Sequence, residues 1–412
     1  MTTTVPASAN AFHYPAYVKY LVAVTAHGFA AQILSMAVSW QVYDITRGAF
    51  YLGLVGLAQF LPALLLVLVT GLVADRFNRR LVMLACLLLE LIGAAGLMWF
   101  TLSQTKVIWP VFVILAMLGV ARAFFNPSAD ALSPNLIGKE AIPHAISLGS
   151  MTWQVSSITG PVVGGLLYGF GGHVAYGSAG LLFVIAVVMV VLIGHVRQDN
   201  KVEETTLDTL FAGFHFIKSE PVVLGAISLD LFAVLLGGAT ALLPIYARDI
   251  LQVGEFGLGL LRGAPGVGAV LMALWLSKFG IKDRAGWVLF LFVAAFGFFT
   301  VVFGVSTWVP LSIFALAMMG ASDKVSVYVR ETLMQLWTPD DVRGRVNAVN
   351  RVFIGASNEL GEFRAGMVAT LLSAKAAVVM GGVGTMLVAA VWSRAFPALR
   401  TARKLEGKPL AV

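Results

Sequence analysis

Apolar runs of about 20 residues, the length that crosses ~30 Å of hydrocarbon, recur along almost the whole 412-residue chain. No other feature narrows the fold as far. In hydrocarbon every backbone N–H and C=O has to be satisfied within the protein, which leaves only helices and closed barrels. These runs are about twice the length of a barrel strand and do not alternate apolar with polar residues, and 42 glycines suit helices that pack closely. The chain therefore reads as an all-α integral membrane protein with about twelve transmembrane helices. The seventh apolar run is Val222–Tyr246, the tenth Val309–Tyr328 and the eleventh Val346–Leu372. With 59% of residues hydrophobic and only 12% charged, against about 25% charged in soluble domains, a water-facing surface cannot be covered.

The formal net charge is +7, and its placement explains it. Arg76, Arg79, Arg80, Lys139, Arg197, Lys218, Lys282, Arg343 and Arg400 fall in alternate loops or the tail, whereas the other loops hold only Arg47, Lys106, Arg248 and Lys375. That asymmetry is the positive-inside pattern, which predicts an even number of spans with both termini in the cytoplasm. It also removes the reason to invoke nucleic acid. Met1–Tyr14 is polar, with neither an early basic cluster nor a small-residue cleavage site, so no cleavable signal peptide is expected. Cys86 is the single cysteine, which rules out an intrachain disulfide.

The longest polar stretch runs from Arg197 to Pro221. It divides the chain into a cytoplasmic N-terminal segment (1–16), a six-helix bundle (17–196), a linker (197–221), a second six-helix bundle (222–396) and a cytoplasmic tail (397–412). Leu210, Phe211, Phe214 and Ile217 have amphipathic spacing, so part of the linker is expected to lie along the membrane surface. Leu52–Ala58 (LGLVGLA) resembles Leu258–Ala264 (LGLLRGA), and Ile137–Ser147 sits opposite Trp337–Asn347. An internal repeat of about half the chain is the mark of secondary transporters, whose site forms where two pseudo-symmetric bundles meet.

Two local motifs stand out. GLVADRFNRR, Gly71 to Arg80, resembles the loop motif of the major facilitator superfamily, Gly-x-x-x-Asp-Arg-x-Gly-Arg-Arg, with Asn78 in place of the second glycine. Asn tolerates left-handed backbone, Gly71 is expected to let the end of span two approach a neighbour, and Asp75 to sit at a helix N-terminus where a carboxylate is stabilised. Gly71, Asp75, Arg76, Arg79 and Arg80 then form a cytoplasmic gate; the alternative is that the arginines only set topology. GPVVGG in span five resembles a superfamily motif associated mainly with exporters. Pro161 bends the helix, and Gly160, Gly164 and Gly165 are expected to pack against the opposite bundle, or simply within the membrane.

Charges inside spans are costly and have to face the bundle interior, pair or titrate. Glu359 and Glu362, three apart on one helix face, are candidates to carry a driving proton, with Asp230, Asp323 and Arg122 next; static ion pairs are the competing reading. Trp40, Gln41, Tyr43 and Asp44 combine aromatic and polar character within little more than a turn, which suits a substrate cavity. There is no phosphate-binding loop, no His/Cys metal cluster and no nucleophile with its base, so neither a cofactor, a metal nor an enzymatic reaction is expected.

Trp40–Thr46, Leu57–Leu66, the loop motif, Ala123–Ile137 and Arg343–Phe363 together resemble the enterobactin-exporter-like branch of the major facilitator superfamily, over about Tyr17 to Arg400. The resemblance implies a proton-driven exporter of siderophores, drugs or other small amphipathic compounds in a bacterial inner membrane, and the chain is expected to act as a monomer. An importer or lipid flippase of the same fold is the alternative. A non-transporting sensor fits less well, because the linker is too short for an output domain.

Overall fold

The computed structural model describes residues 10–194, 196, 214–281 and 283–402; the side chains of residues 67, 68, 74, 75 and 341 lie outside the description. Twelve long helices account for most of the described residues: α1 (Pro15–Thr46), α2 (Ala49–Arg76), α3 (Arg79–Leu102), α4 (Trp109–Leu132), α5 (Ile142–Gly169), α6 (Gly172–Leu192), α7 (Pro221–Gly237), α8 (Gly254–Phe279), α9 (Ala285–Val305), α10 (Val309–Trp337), α11 (Asp340–Leu371) and α12 (Ala374–Ala395). Proline sits in the first turn of α4, α5, α7 and α10, where its missing N–H costs nothing and its fixed φ suits the helix. Nine apolar stretches among the described residues are long enough to cross a membrane. The helices outside those stretches are α5, α10 and α11, and the last two carry the densest charge of any long helix.

Two compact units partition the chain, one within Met1–Ile45 and Ala58–Thr205, the other within Thr46–Leu57 and Thr206–Val412. In the first, α3 packs between α4 and α6. In the second, α9 packs on α10 and α12, α8 on α10, and α7 on α11 and α12, around a core that includes Leu229, Leu289, Phe290, Val325 and Val329. The opening turns of α2 belong to this second unit. They cross α11 closely: a Cβ added at Gly366 lies 2.8 Å from the Ala49 carbonyl oxygen and 2.9 Å from Gly53 Cα.

Two expected spans differ in kind from the helices found. The run Val222–Tyr246 is one apolar stretch but not one helix: α7 stops at Gly237, and the chain resumes as a 3-10 turn at Thr240–Leu242, a short helix at Leu243–Ile245 and a π turn at Tyr246–Ile250. Gly237 and Gly238 permit the break, since glycine is the residue least suited to a helix interior. The tenth run, expected to end at Tyr328, continues as helix to Trp337 because Arg330, which interrupts the apolar pattern, is buried with a partner. Of the expected amphipathic segment, Leu210 and Phe211 lie outside the described residues. Residues 214–219 are helical, and Ile217 is buried against Val223, Ile227, Met334 and Val346.

Candidate functional site

The loop between α2 and α3 is built from helix caps. Asn78 adopts an extended backbone (φ −66°, ψ 109°) and its side chain accepts from the N–H groups of Arg80 and Leu81, satisfying donors that the start of α3 leaves open. The expected left-handed Asn78 is thus a side-chain N-cap. Arg79 donates to the Ala131 carbonyl (3.2 Å) and Asn135 Oδ1 (3.0 Å) at the end of α4, while Arg80 donates to the Val190 (2.8 Å) and Val191 (2.7 Å) carbonyls at the end of α6. Lys19 adds a donor to Leu192 O at 2.7 Å. Cations at helix C-termini complement both the orphan carbonyls and the macrodipole. A Cβ added at Gly71 meets no described atom within 4 Å. Arg76 is exposed, and the Asp75 side chain lies outside the described residues.

Close approach is instead found along α5. A Cβ at Gly160 lies 2.5 Å from Gln32 Cβ, and one at Gly164 lies 3.1 Å from Ile33 Cα, both on α1. The motif glycines therefore pack within their own unit, where the opposite bundle was expected. Pro161 and Gly165 are buried in the same helix, which runs on through the proline.

Polar groups inside the first unit form two sets. Gln41 donates to Thr101 Oγ1 (2.8 Å) and accepts from the Tyr176 hydroxyl (2.6 Å), so its amide ties α1 to α3 and α6. Trp40 and Tyr43 beside it are buried and Asp44 is exposed. One turn deeper on α3 from a buried Cys86, Glu90 Oε1 lies within hydrogen-bond distance of His27 Nε2 of α1, at 3.1 Å. Glu90 also opens on a cavity of about 10 Å³ with Ser35, Gln59, Leu115 and Arg122.

The second unit gathers its charges around the interruption of α7. Arg364 of α11 donates through Nε to the Leu235 carbonyl at 2.9 Å and through a terminal nitrogen to the Leu236 carbonyl, and Thr385 of α12 donates to the Ala233 carbonyl at 2.8 Å. On the far side of the break, Thr240 donates to Glu362 Oε1 at 2.7 Å. A single turn of α11 thus holds both loose ends, with its cation on the carbonyl end as helix polarity requires. Gly361 makes room: a Cβ there lies 2.8 Å from the Val234 carbonyl oxygen. Glu359 and Glu362 converge on the backbone of Gly56, and Arg262 of α8 lies within electrostatic reach of Glu362. Asp230 of α7 pairs with Arg330 of α10, both nearly buried, and Asp323 lies two turns earlier on α10 within reach of both.

Of the residues singled out in the sequence, Glu359 and Glu362 are brought together, as are Asp230 and Asp323, while Arg122 joins Glu90 in the first unit. Among the residues that went unseen are His27, Gln59, Thr101, Tyr176, Thr240 and Thr385. A lone imidazole has no spacing rule to find it by, and its one signal is being an ionisable group inside an apolar run.

The transmembrane secretion effector family matches residues 8–409. The chain is 26% identical over 368 residues to the enterobactin exporter EntS of Shigella boydii serotype 18, and likewise to that of Escherichia coli O81, covering 86% of this chain and 86% of each relative. Among solved structures, it resembles a bacterial homologue of the human lysosomal transporter Spinster in an inward-facing, unoccupied conformation (TM-score 0.74, 14% identity, 93% of this chain and 98% of that one). It also resembles a bacterial homologue of the iron transporter ferroportin in an inward-facing state (TM-score 0.69, 18% identity, 92% and 98%).

Proposed function

The chain belongs to the transmembrane secretion effector family of the major facilitator superfamily, and on that premise we propose that it is a proton-driven exporter of a small amphipathic compound, siderophore-like or drug-like. It is a multi-pass inner-membrane transporter with the major facilitator fold. The observation that carries the finer reading is the interrupted α7. Transporters build their sites from discontinuous helices whose free ends meet ions and polar substrate groups near the membrane midplane. Here the free ends are held by Glu362 and Arg364, with Glu359 and Arg262 alongside.

Outward direction is supported by the exporter-type motif at Gly160–Gly165 and by the name borne by the EntS relatives. The working unit is one chain, with both termini in the cytoplasm as the loop charges favour. Since Arg79 and Arg80 are spent on helix ends, gating at the α2–α3 loop falls to Asp75 and Arg76.

Everted inner-membrane vesicles with an acidic lumen provide the test, using enterobactin, an amphipathic dye and a labelled phospholipid as probes. The expected result is lumenal accumulation of enterobactin or the dye that a protonophore abolishes. Exit of the probe from the lumen makes the chain an importer, movement of the phospholipid alone makes it a flippase, and accumulation blind to the gradient ends the proton-driven reading.

A further inference from the structure

The first unit contains a buried acid–base pair that the proposed transport reaction leaves unassigned. The His27 and Glu90 side chains are 9% and 3% exposed, with Nε2 3.0 Å from Oε2. His27 stacks on Phe125 with ring centroids 3.9 Å apart, and Phe183 closes another side at 6.1 Å. With apolar walls on α4 and α6, Glu90 is the polar group that meets Nε2. A carboxylate this deep in a membrane protein needs a cation or a proton beside it. Resting on the proton-driven reading above, we propose that the His27–Glu90 pair is where this transporter binds its proton, with Arg122 taking Glu90 when His27 gives that proton up.

Among the described residues, few charged or titratable groups face the pair. From α3 come Glu90 itself and Cys86, one turn earlier and within electrostatic reach of it. From α4 comes Arg122, which lines the same cavity as Glu90; α2 contributes the uncharged Gln59 and α6 Phe183. The cavity, about 10 Å³, matches the roughly 10–15 Å³ that one water requires. A hydronium in that cavity gives its proton to the Glu90 carboxylate, which lines it, and water remains. The proton then passes across the 3.1 Å contact to an unprotonated His27 Nε2, an N–H bond forms, and Glu90 is again a carboxylate. Loaded, Glu90 faces imidazolium; unloaded, the cation among the described residues lining the cavity is Arg122. Histidine suits this duty because its charge ordinarily changes between about pH 5 and 8. Because Arg122 is on α4 and His27 on α1, exchange of Glu90 between them converts proton loading into a change of helix contacts.

Two measurements on the full-length chain test this. Side-chain nitrogen NMR, with His27→Gln and Arg122→Lys as assignment controls, should show the His27 ring gaining and losing a proton, with the Arg122 signal moving at the same midpoint. A ring fixed in one protonation state, or an Arg122 signal blind to it, overturns the proposal. In proteoliposomes given enterobactin, Glu90→Gln and His27→Gln should lose gradient-driven flux by at least about tenfold while gradient-free exchange stays within about twofold. Variants that keep the parent's driven flux, or lose exchange equally, overturn it too. A parent that ignores the gradient sinks the proton-driven reading instead, and the variants are then not the cause.

Discussion

In the first unit α4 meets α2 where a Cβ added to Gly119 would overlap the Gln59 carbonyl; in the second, α10 meets α8 where one added to Gly320 would overlap the Pro265 carbonyl. Gln59 and Pro265 each stand seven residues into the repeated LGL segments, so both units make one backbone contact. Their buried charges do not repeat. The first unit holds His27–Glu90 between α1 and α3, the second Asp230–Arg330 between α7 and α10. Packing is therefore the symmetric property and charge the asymmetric one. The difference matters because a guanidinium does not give up its proton in a protein, whereas an imidazole does so near neutral pH. Asp230–Arg330 is a permanent tie, and His27–Glu90 a pair that can be loaded and unloaded.

The sharpest way to break that contrast is to remove one member from each pair. Arg330→Met strands a buried carboxylate and should cost about 3–5 kcal/mol, read as lost thermal stability and monodisperse yield. Asp230→Leu combined with Arg330→Met should recover most of it, since apolar replacement of a whole buried pair is close to neutral. His27→Gln leaves a donor beside Glu90 and should cost only about 1–2 kcal/mol. If both single variants are equally damaging and the double replacement does not rescue, the two pairs are the same kind of object and the distinction fails.

Next in size comes the shared contact. Gly119→Ala and Gly320→Ala each push a methyl group into a backbone carbonyl that no rotamer change can move, and overpacking of this sort costs about 1–3 kcal/mol. Similar losses in the two units are expected by denaturation in detergent. Tolerance at one site with collapse at the other would show that the helix pairs are equivalent in sequence but not in packing.

How much of this was readable from sequence follows the same division. Spans and their order were legible because hydrocarbon imposes length and apolarity on every crossing, and the family because Gly71–Arg80 and Arg343–Phe363 resemble its motifs. The interruption of α7 was not, since an apolar run looks the same whether or not its backbone is continuous, and Gly237–Gly238 is a common pair in membrane helices. Gly71, Gly160, Asn78 and Arg79 were visible as a motif, yet their partners were not. Which carbonyl Arg79 caps, or which helix Gly160 touches, depends on packing that residue spacing does not encode. Glu359 and Glu362 carried an i,i+3 signal, whereas His27 and Glu90 are 63 residues apart and become a pair only in three dimensions.

The smallest expected effect compares the helix starts that follow the repeated segment. Asn78 begins α3 with an extended backbone and a side chain that caps two N–H groups. Arg284, 206 residues later by the same offset that relates Gln59 to Pro265, begins α9 in a left-handed conformation (φ 58°, ψ 38°) with no side-chain cap. Glycine should therefore act with opposite sign at the two positions. At residue 78 it removes a cap but costs only a few tenths of a kcal/mol, because glycine is itself an acceptable N-cap. At residue 284 it relieves a left-handed L-residue, worth roughly 1–2 kcal/mol, and gives back about 0.5–1 kcal/mol in chain entropy. The balance is a gain of around half a kcal/mol. Thermal unfolding of Asn78→Gly and Arg284→Gly in parallel should show a slight fall in the first and a slight rise in the second. Arg284→Asn, which keeps a side chain suited to left-handed backbone, should also rise, whereas Arg284→Gln, which removes the same charge without that backbone tolerance, should not, separating backbone relief from loss of a loop charge. If Arg284→Gln gains as much as Arg284→Gly, charge and not conformation is responsible, and the two helix starts differ in electrostatics rather than in strain.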